Sequence, residues 1–231
     1  MTTLEKPKFT DSEGALSDID RGSNHQHPCI SLPIAFKIYC DKSRVSHSVF
    51  YISRQKSDRL NAISVGYTGW FHAKVALHEG PSVDSSILGS SVLKGKIIDV
   101  SLPSGDVQMI GKSALGSAFT FSLPIGVRGT TETFEWRRSR GQEVKNLGGR
   151  GSGWELVRLN GPYSEAEEVV AVYTVDLMSP KLSGRFEFTG TGATKELGRE
   201  WAIITVVTAL SLGQKKRDSN MAAMGVIAAV G

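Results

Sequence analysis

From Ser31 onward, apolar residues come in short runs separated by turn residues; near the end of the chain they form one long run. The short runs predict strands at Ile34–Tyr39, Ser48–Ser53, Ala62–Val65, Lys74–His78, Ile87–Leu93 and Lys96–Leu102. Further strands are predicted at Ala118–Leu123, Thr133–Arg138, Trp154–Leu159, Val169–Val175 and Gly184–Phe188. Turn residues punctuate them, among them Gly66, Gly80-Pro81, Ser104-Gly105, Pro124, Gly148-Gly149, Gly161-Pro162 and Ser179-Pro180. Phe119 and Phe121 alternate with Thr120, and Phe134 and Trp136 alternate with Glu135 and Arg137. A period of two gives each strand one buried and one wet face. Many closely spaced strands with no helices between them predict antiparallel β structure.

The long run is Leu197–Leu212, LGREWAIITVVTALSL, uncharged from Trp201 to Leu212. At helical spacing it has no polar face: Ile203, Val206, Val207 and Leu210 cover one side, Trp201, Ile204 and Leu212 the other. A helix apolar all round is buried in protein or lies in a membrane. About 12 residues fall short of the roughly 20 that span a bilayer, so a protein core is expected. The β-branched stretch Ile203–Thr208 also suits a strand, but the run is longer than the usual strand of about 4–8 residues. Thr194 is a candidate N-cap and Glu196 suits the positive end of the helix. Gly213 suits the C′ position, and Lys215, Lys216 and Arg217 suit the negative end. Burying eight large apolar side chains of this segment (Leu197, Trp201, Ile203, Ile204, Val206, Val207, Leu210, Leu212) is worth roughly 12–24 kcal/mol gross.

Strands first and one wholly apolar helix last predict a mainly β fold, a closed antiparallel barrel of about ten strands around a central hydrophobic C-terminal helix. Residues 1–30 are polar and predict a disordered lead-in. The barrel domain is expected over 31–217, with the helix at about 195–213 and a tail over 218–231. The apolar stretch Met221–Val230 within that tail is too short to span a membrane.

Composition adds modest limits. The chain has 231 residues, 40% of them hydrophobic, and a net charge of +4. This permits an anionic partner without demanding one. Cys29 and Cys40 are the only cysteines and have no metal-ligand spacing, which points to a reduced, cytoplasmic protein. The first thirty residues show no signal-peptide pattern, so secretion is not expected.

Motifs for chemistry are sparse. His25 and His27 form an HxH pair with no further ligands, so no metal is expected. Gly111–Ser113 reads GKS, but a phosphate loop needs glycine at the position held by Asp106. Gly148–Gly153, GGRGSG, reads as a hairpin loop. His47, His72 and His78 have no G-x-S-x-G elbow near them, and His78 reads as structural. The expectation is a protein that is not an enzyme and uses no cofactor. No zinc-finger spacing or aromatic-rich basic module points to nucleic acid.

Six stretches carry a family resemblance: HEGPS (His78–Ser82), FEWRRS (Phe134–Ser139), GWELVRL (Gly153–Leu159), EVVAVYT (Glu168–Thr174), GRFEF (Gly184–Phe188) and the terminal apolar run. Their order, an F-x-W strand and then a GW-x-L-V strand before the helix, resembles the tubby C-terminal-like superfamily. That superfamily includes the tubby proteins, the LURP-one-related proteins and the phospholipid scramblases. The resemblance covers residues 35–217. It implies a barrel of about twelve antiparallel strands around a hydrophobic C-terminal helix. Tubby domains bind phosphoinositides through basic surface residues, so lipid binding is the implied activity. The calcium-related acidic segment and palmitoylated cysteine cluster of scramblases have no counterpart here, and LURP-one-related members mostly lack a defined activity. No tubby lipid-binding motif matches residue for residue, and none is carried over.

From the residues themselves, Arg137, Arg138, Arg140, Lys145, Arg150 and Arg158 fall on two predicted strands and their connection, with only Glu143 and Glu155 among them. Arginine forks match phosphate oxygens. Each cation near an anionic bilayer contributes about 1 kcal/mol. The expected role is a membrane adaptor, peripheral and without a transmembrane span, that meets anionic phospholipid at a basic rim. The alternatives are a small-molecule carrier with its ligand in the barrel mouth, and a scaffold for an unknown protein partner.

Overall fold

Each strand of the barrel hydrogen-bonds to the next in sequence, and the last closes on the first. A computed structural model of the chain describes residues 32–43, 47–68, 72–112, 117–126, 129–148, 152–159, 167–177, 179 and 181–230. The expected lead-in over residues 1–30, with His25, His27 and Cys29, lies outside the described residues. The strands are β1 (Ala35–Ser43), β2 (His47–Ser53), β3 (Asn61–Thr68), β4 (His72–His78), β5 (Ile87–Lys94) and β6 (Ile97–Leu102). They continue as β7 (Gly105–Gly111), β8 (Ala118–Ile125), β9 (Thr130–Ser139), β10 (Gly153–Arg158), β11 (Glu168–Val175) and β12 (Leu182–Phe188). All twelve are antiparallel to their neighbours, and Phe36 opposite Phe186 joins β1 to β12. Closure leaves no free outer edge. Helices α1 (Gln142–Asn146) and α2 (Gly190–Ala193) are short, and α3 (Gly198–Val230) is long.

The alternating pattern does the work expected of it. Phe119, Phe121, Leu123 and Ile125 of β8 point inward, as do Phe134 and Trp136 of β9, and all are buried. The interior they line is filled by α3. From Trp201 to Gln214 every residue but half-buried Ala202 is buried, including Ile203, Ile204, Val206, Val207 and Leu210. Contacts come from different sides of the wall. Trp201 lies between the rings of Phe134 and Phe188, at 5.8 and 5.5 Å. Trp136 donates its indole N–H to Thr208 Oγ1 at 3.0 Å. The Ser211 hydroxyl gives its own proton to the Val207 carbonyl, so Ser91 is the donor in the 2.7 Å Ser91–Ser211 bond. These few polar groups pin the helix in depth and rotation inside an apolar tube.

Several local expectations change. Strand β7 is new, because only Met109 of it is fully buried while Asp106, Gln108 and Ile110 are exposed. One buried position carries no periodicity. Thr194 is not the N-cap of the long helix; it caps the C-terminus of α2 in a right-handed conformation. Lys195 and Gly198, with φ of 68° and 85°, break the chain before α3 begins. Gly213 does not end the helix. A Cβ there would overlap the Tyr173 hydroxyl, so its glycine serves close approach to the wall. The helix continues to Val230, and the basic triplet Lys215–Arg217 therefore does not cap a negative end.

Candidate functional site

The two ends of the barrel differ in chemistry. At the end where α3 enters, Arg158 faces inward on β10 and is buried beside buried Glu132 of β9. Its Nε donates to Glu132 Oε2 at 2.6 Å and its Nη2 to Oε1 at 2.7 Å. Nη1 donates to Thr191 Oγ1 at 3.3 Å, and Thr191 in turn donates its backbone N–H and hydroxyl to Glu168. The Glu132 carboxylate holds the Arg158 guanidinium above its ordinary pKa, against the opposing effect of burial. Arg158 therefore clamps α2 to the wall and does not belong to an exposed rim. Glu132 was not singled out in the sequence. The signal was there: it lies two residues before Phe134 and four before Trp136, on the same strand face.

Arg137 points outward and is neutralised. Its two terminal nitrogens donate to Glu167 at 2.5 and 2.7 Å, and its Nε donates to Glu135, which Lys112 also contacts. The hydrogen bonds it donates to Glu167 and Glu135 raise its pKa. Arg140 and Lys145 are exposed on the connection between β9 and β10, Lys145 on α1. Arg150 lies outside the described residues.

Arg138 behaves differently. It shares the inward face with Phe134 and Trp136, but sits near the end of β9 where the barrel opens. Its register partner Trp154 supports it, with the guanidinium 5.6 Å from the ring centre, and Nη2 donates to Ser152 Oγ at 2.9 Å. Arg158 is opposite Phe134, four residues back along β9, so it lies about 13 Å away along the strand. The structure thus divides the five expected cations it describes rather than bringing them together.

What does come near Arg138 is Lys216, the middle residue of the basic triplet of α3. Lys215, Lys216 and Arg217 follow Gln214, the last buried residue of the helix among those whose burial is described, and all three are half-buried where it leaves the barrel. Lys215 Nζ donates to the Gly95 carbonyl at 2.5 Å. The Arg217 guanidinium lies 4.8 Å over the Phe50 ring, and its Nε donates to Gln214 Oε1 at 3.1 Å. Burial and then the nearby charge of Arg138 push the Lys216 ammonium below its ordinary pKa. None of the four cations joins an ion pair among the described residues. An anion placed there would offset the desolvation and repulsion that disfavour the Lys216 ammonium.

Other features are quieter. The buried His78 ring meets the Ser85 carbonyl through Nδ1 at 3.1 Å and the Ser64 hydroxyl through Nε2 at 2.9 Å. In the neutral ring Nδ1 donates and Nε2 accepts, which ties the 79–86 loop to β3. At the helix-entry end, a cleft of about 250 Å³ is lined by wall residues including Leu88 and Leu102 and by Arg199, Glu200 and Ile203 of α3. No helix among the described residues is long and apolar enough to cross a membrane, and no group of three or more His, Cys, Asp or Glu among them could hold a metal.

No protein-family model matches this chain, no curated protein matches it, and no solved structure matches it.

Proposed function

We propose that this barrel is a tubby-like, non-enzymatic membrane adaptor that binds the anionic headgroup of a phospholipid, a phosphoinositide in the first instance, at the end where α3 emerges. The observation that carries this reading is the presence of Arg138, Lys215, Lys216 and Arg217 around one end of the barrel with no ion pair among the described residues. Arginine supplies a planar fork and lysine a mobile point charge, a combination suited to phosphate. Arg140 and Lys145, exposed on the adjoining connection, extend the positive field. A cytoplasmic location, at the anionic leaflet, agrees with the scarcity of cysteine.

The test is co-sedimentation with phosphatidylcholine vesicles with and without a phosphoinositide. The wild-type protein is expected to bind only the anionic vesicles. Arg138→Glu/Lys216→Glu is expected to lose that binding, while Arg137→Gln, which removes a charge already matched by two carboxylates, keeps most of it. Equal binding by wild type and Arg138→Glu/Lys216→Glu overturns the assignment of the site. No binding by the wild type overturns the function.

A second reading draws on the 250 Å³ cleft, which barrel and helix residues line together as a carrier site would be. It is smaller than the roughly 300–1,000 Å³ of most ligand pockets, and ranks second for that reason. Ligand-dependent thermal shifts abolished by Leu102→Trp would reverse the ranking.

A further inference from the structure

The cationic collar surrounds a helix that does not stop there. Helix α3 has 33 residues, and over residues 198–223, whose side chains are described, burial ends near Gln214. Residues Lys215 to Asp218 are half-buried, and Ser219 to Ala223 are exposed in an unbroken row, more than one full turn. A helix exposed on all faces over more than a turn stands free of the barrel. Its root is fixed. Tyr67 donates to Asp218 Oδ1 at 2.9 Å and Gln214 Nε2 donates to the same oxygen at 2.7 Å. This also occupies the only acid between Gln214 and Val230.

Beyond the root, polarity reverses. Met221–Val230 reads MAAMGVIAAV and holds no charged or hydrogen-bonding side chain. Met221 is 58% exposed. Free helices in water are favoured by polar and charged residues; one made of apolar residues calls for a cover. The collar at its base says which cover fits. Positive charge immediately beside an apolar helix matches a surface that is anionic outside and apolar beneath. A bilayer leaflet has that order of chemistry, whereas a second copy of this chain would bring a second cationic collar against the first. Ten helical residues rise about 15 Å, the depth of one leaflet's hydrocarbon.

We infer that the α3 segment beyond the barrel is a membrane wedge: Met221–Val230 enters one leaflet of an anionic bilayer, while Arg138, Lys215, Lys216 and Arg217 sit at headgroup level. This rests on the headgroup reading above and adds to it a hydrophobic contact that salt does not screen. Collar binding alone weakens with ionic strength, by about fivefold for each cation neutralised. Wedge binding persists.

The experiment uses the full chain and phosphatidylcholine vesicles with and without phosphatidylserine, floated at low and high salt. Val226→Asp/Ile227→Asp is compared with the wild type, and an unchanged melting temperature is the control for folding. The wild type is expected to stay on anionic vesicles at high salt. The double variant is expected to bind at low salt only, with affinity on the order of a hundredfold lower at high salt. An Ile227→Trp variant is expected to show fluorescence quenching by lipids brominated in the acyl chain, beyond any seen for the wild type. Equal flotation of wild type and double variant at both salts, or no added quenching, overturns the wedge and leaves the headgroup site standing. A wild-type dimer in solution that the double variant dissolves, with vesicle binding unchanged, gives the segment to a second copy and also overturns it. Absence of any wild-type binding overturns both.

Discussion

Arg158 and Glu132 face each other across β10 and β9 as a two-pronged pair inside the barrel, with both nitrogen–oxygen distances below 2.8 Å. The pair is buried, and each charge depends mainly on the other, since Glu168 stands farther from Arg158, at 4.0 Å. Removing one partner leaves an uncompensated buried charge, which costs about 3–5 kcal/mol. Glu132→Gln and Arg158→Met should each lower the unfolding free energy by that order in denaturant titrations. Glu132→Leu/Arg158→Met, which removes both charges, should recover most of the loss. A double variant as unstable as the sum of the singles would show that the pair does more than neutralise itself.

Gly213 and Tyr173 make a second testable contact. A Cβ at 213 would overlap the tyrosine hydroxyl, and the ring carbons Cζ and Cε1 would lie 3.1 and 3.3 Å away. Gly213→Ala should therefore destabilise by about 1–3 kcal/mol, although alanine is the better helix former. In a Tyr173→Phe background the hydroxyl is gone and the same substitution should cost clearly less. An equal cost in both backgrounds would mean the glycine answers to something other than this contact.

Acid should act through Glu135. Burial raises its pKa, but hydrogen bonds from Lys112 and Arg137 outweigh that effect and hold it below its ordinary value of 4.5. A carboxylate with a depressed folded pKa contributes stability above its unfolded pKa, and that contribution fades as pH falls through the folded value. Stability should thus be level down to about 4.5 as far as this group is concerned and decline below it. Glu135→Gln should be less stable near neutrality and show a shallower decline in acid. Parallel stability–pH curves for the two proteins would remove Glu135 from the acid response.

Most of the barrel was legible because its strands repeat one rule. Where three or four inward positions are large and apolar, as in β8 with Phe119, Phe121, Leu123 and Ile125, alternation shows in the sequence itself. Where one inward position does the packing, as Met109 does in β7, it vanishes. The helix was legible for the opposite reason: enclosure on every side removes periodicity and leaves an unbroken apolar run. Its far end was not, since Gly213 has two possible meanings, a helix stop or a close contact, and only Tyr173 decides between them. The basic residues failed as a sequence cluster because neighbours along a strand alternate faces and span its length. Arg137 faces out to Glu167, Arg158 faces in to Glu132, and Arg138 finds its companion some eighty residues on, at Lys216 of α3.

The weakest part of the wall should be the seam between β7 and β8. Strand β6 pairs with β7 along its whole length, from Ile97–Ile110 to Leu102–Gly105. Strand β8 pairs with β9 over its full eight residues. Between β7 and β8, however, the ladder holds only Ile110–Thr120 and Gly111–Phe119. Residues 105–109 and 121–125 thus make no ladder pairs with each other across this seam. Pro124, which has no N–H to give, stands on that stretch of β8. Local opening needs little where few backbone bonds must break. In native-state hydrogen exchange, peptides covering 105–109 should exchange well before those of β9 and β10, and at a rate insensitive to mild denaturant, the mark of local opening. Protection of 105–109 equal to that of β9 would show that the seam opens only with the whole barrel.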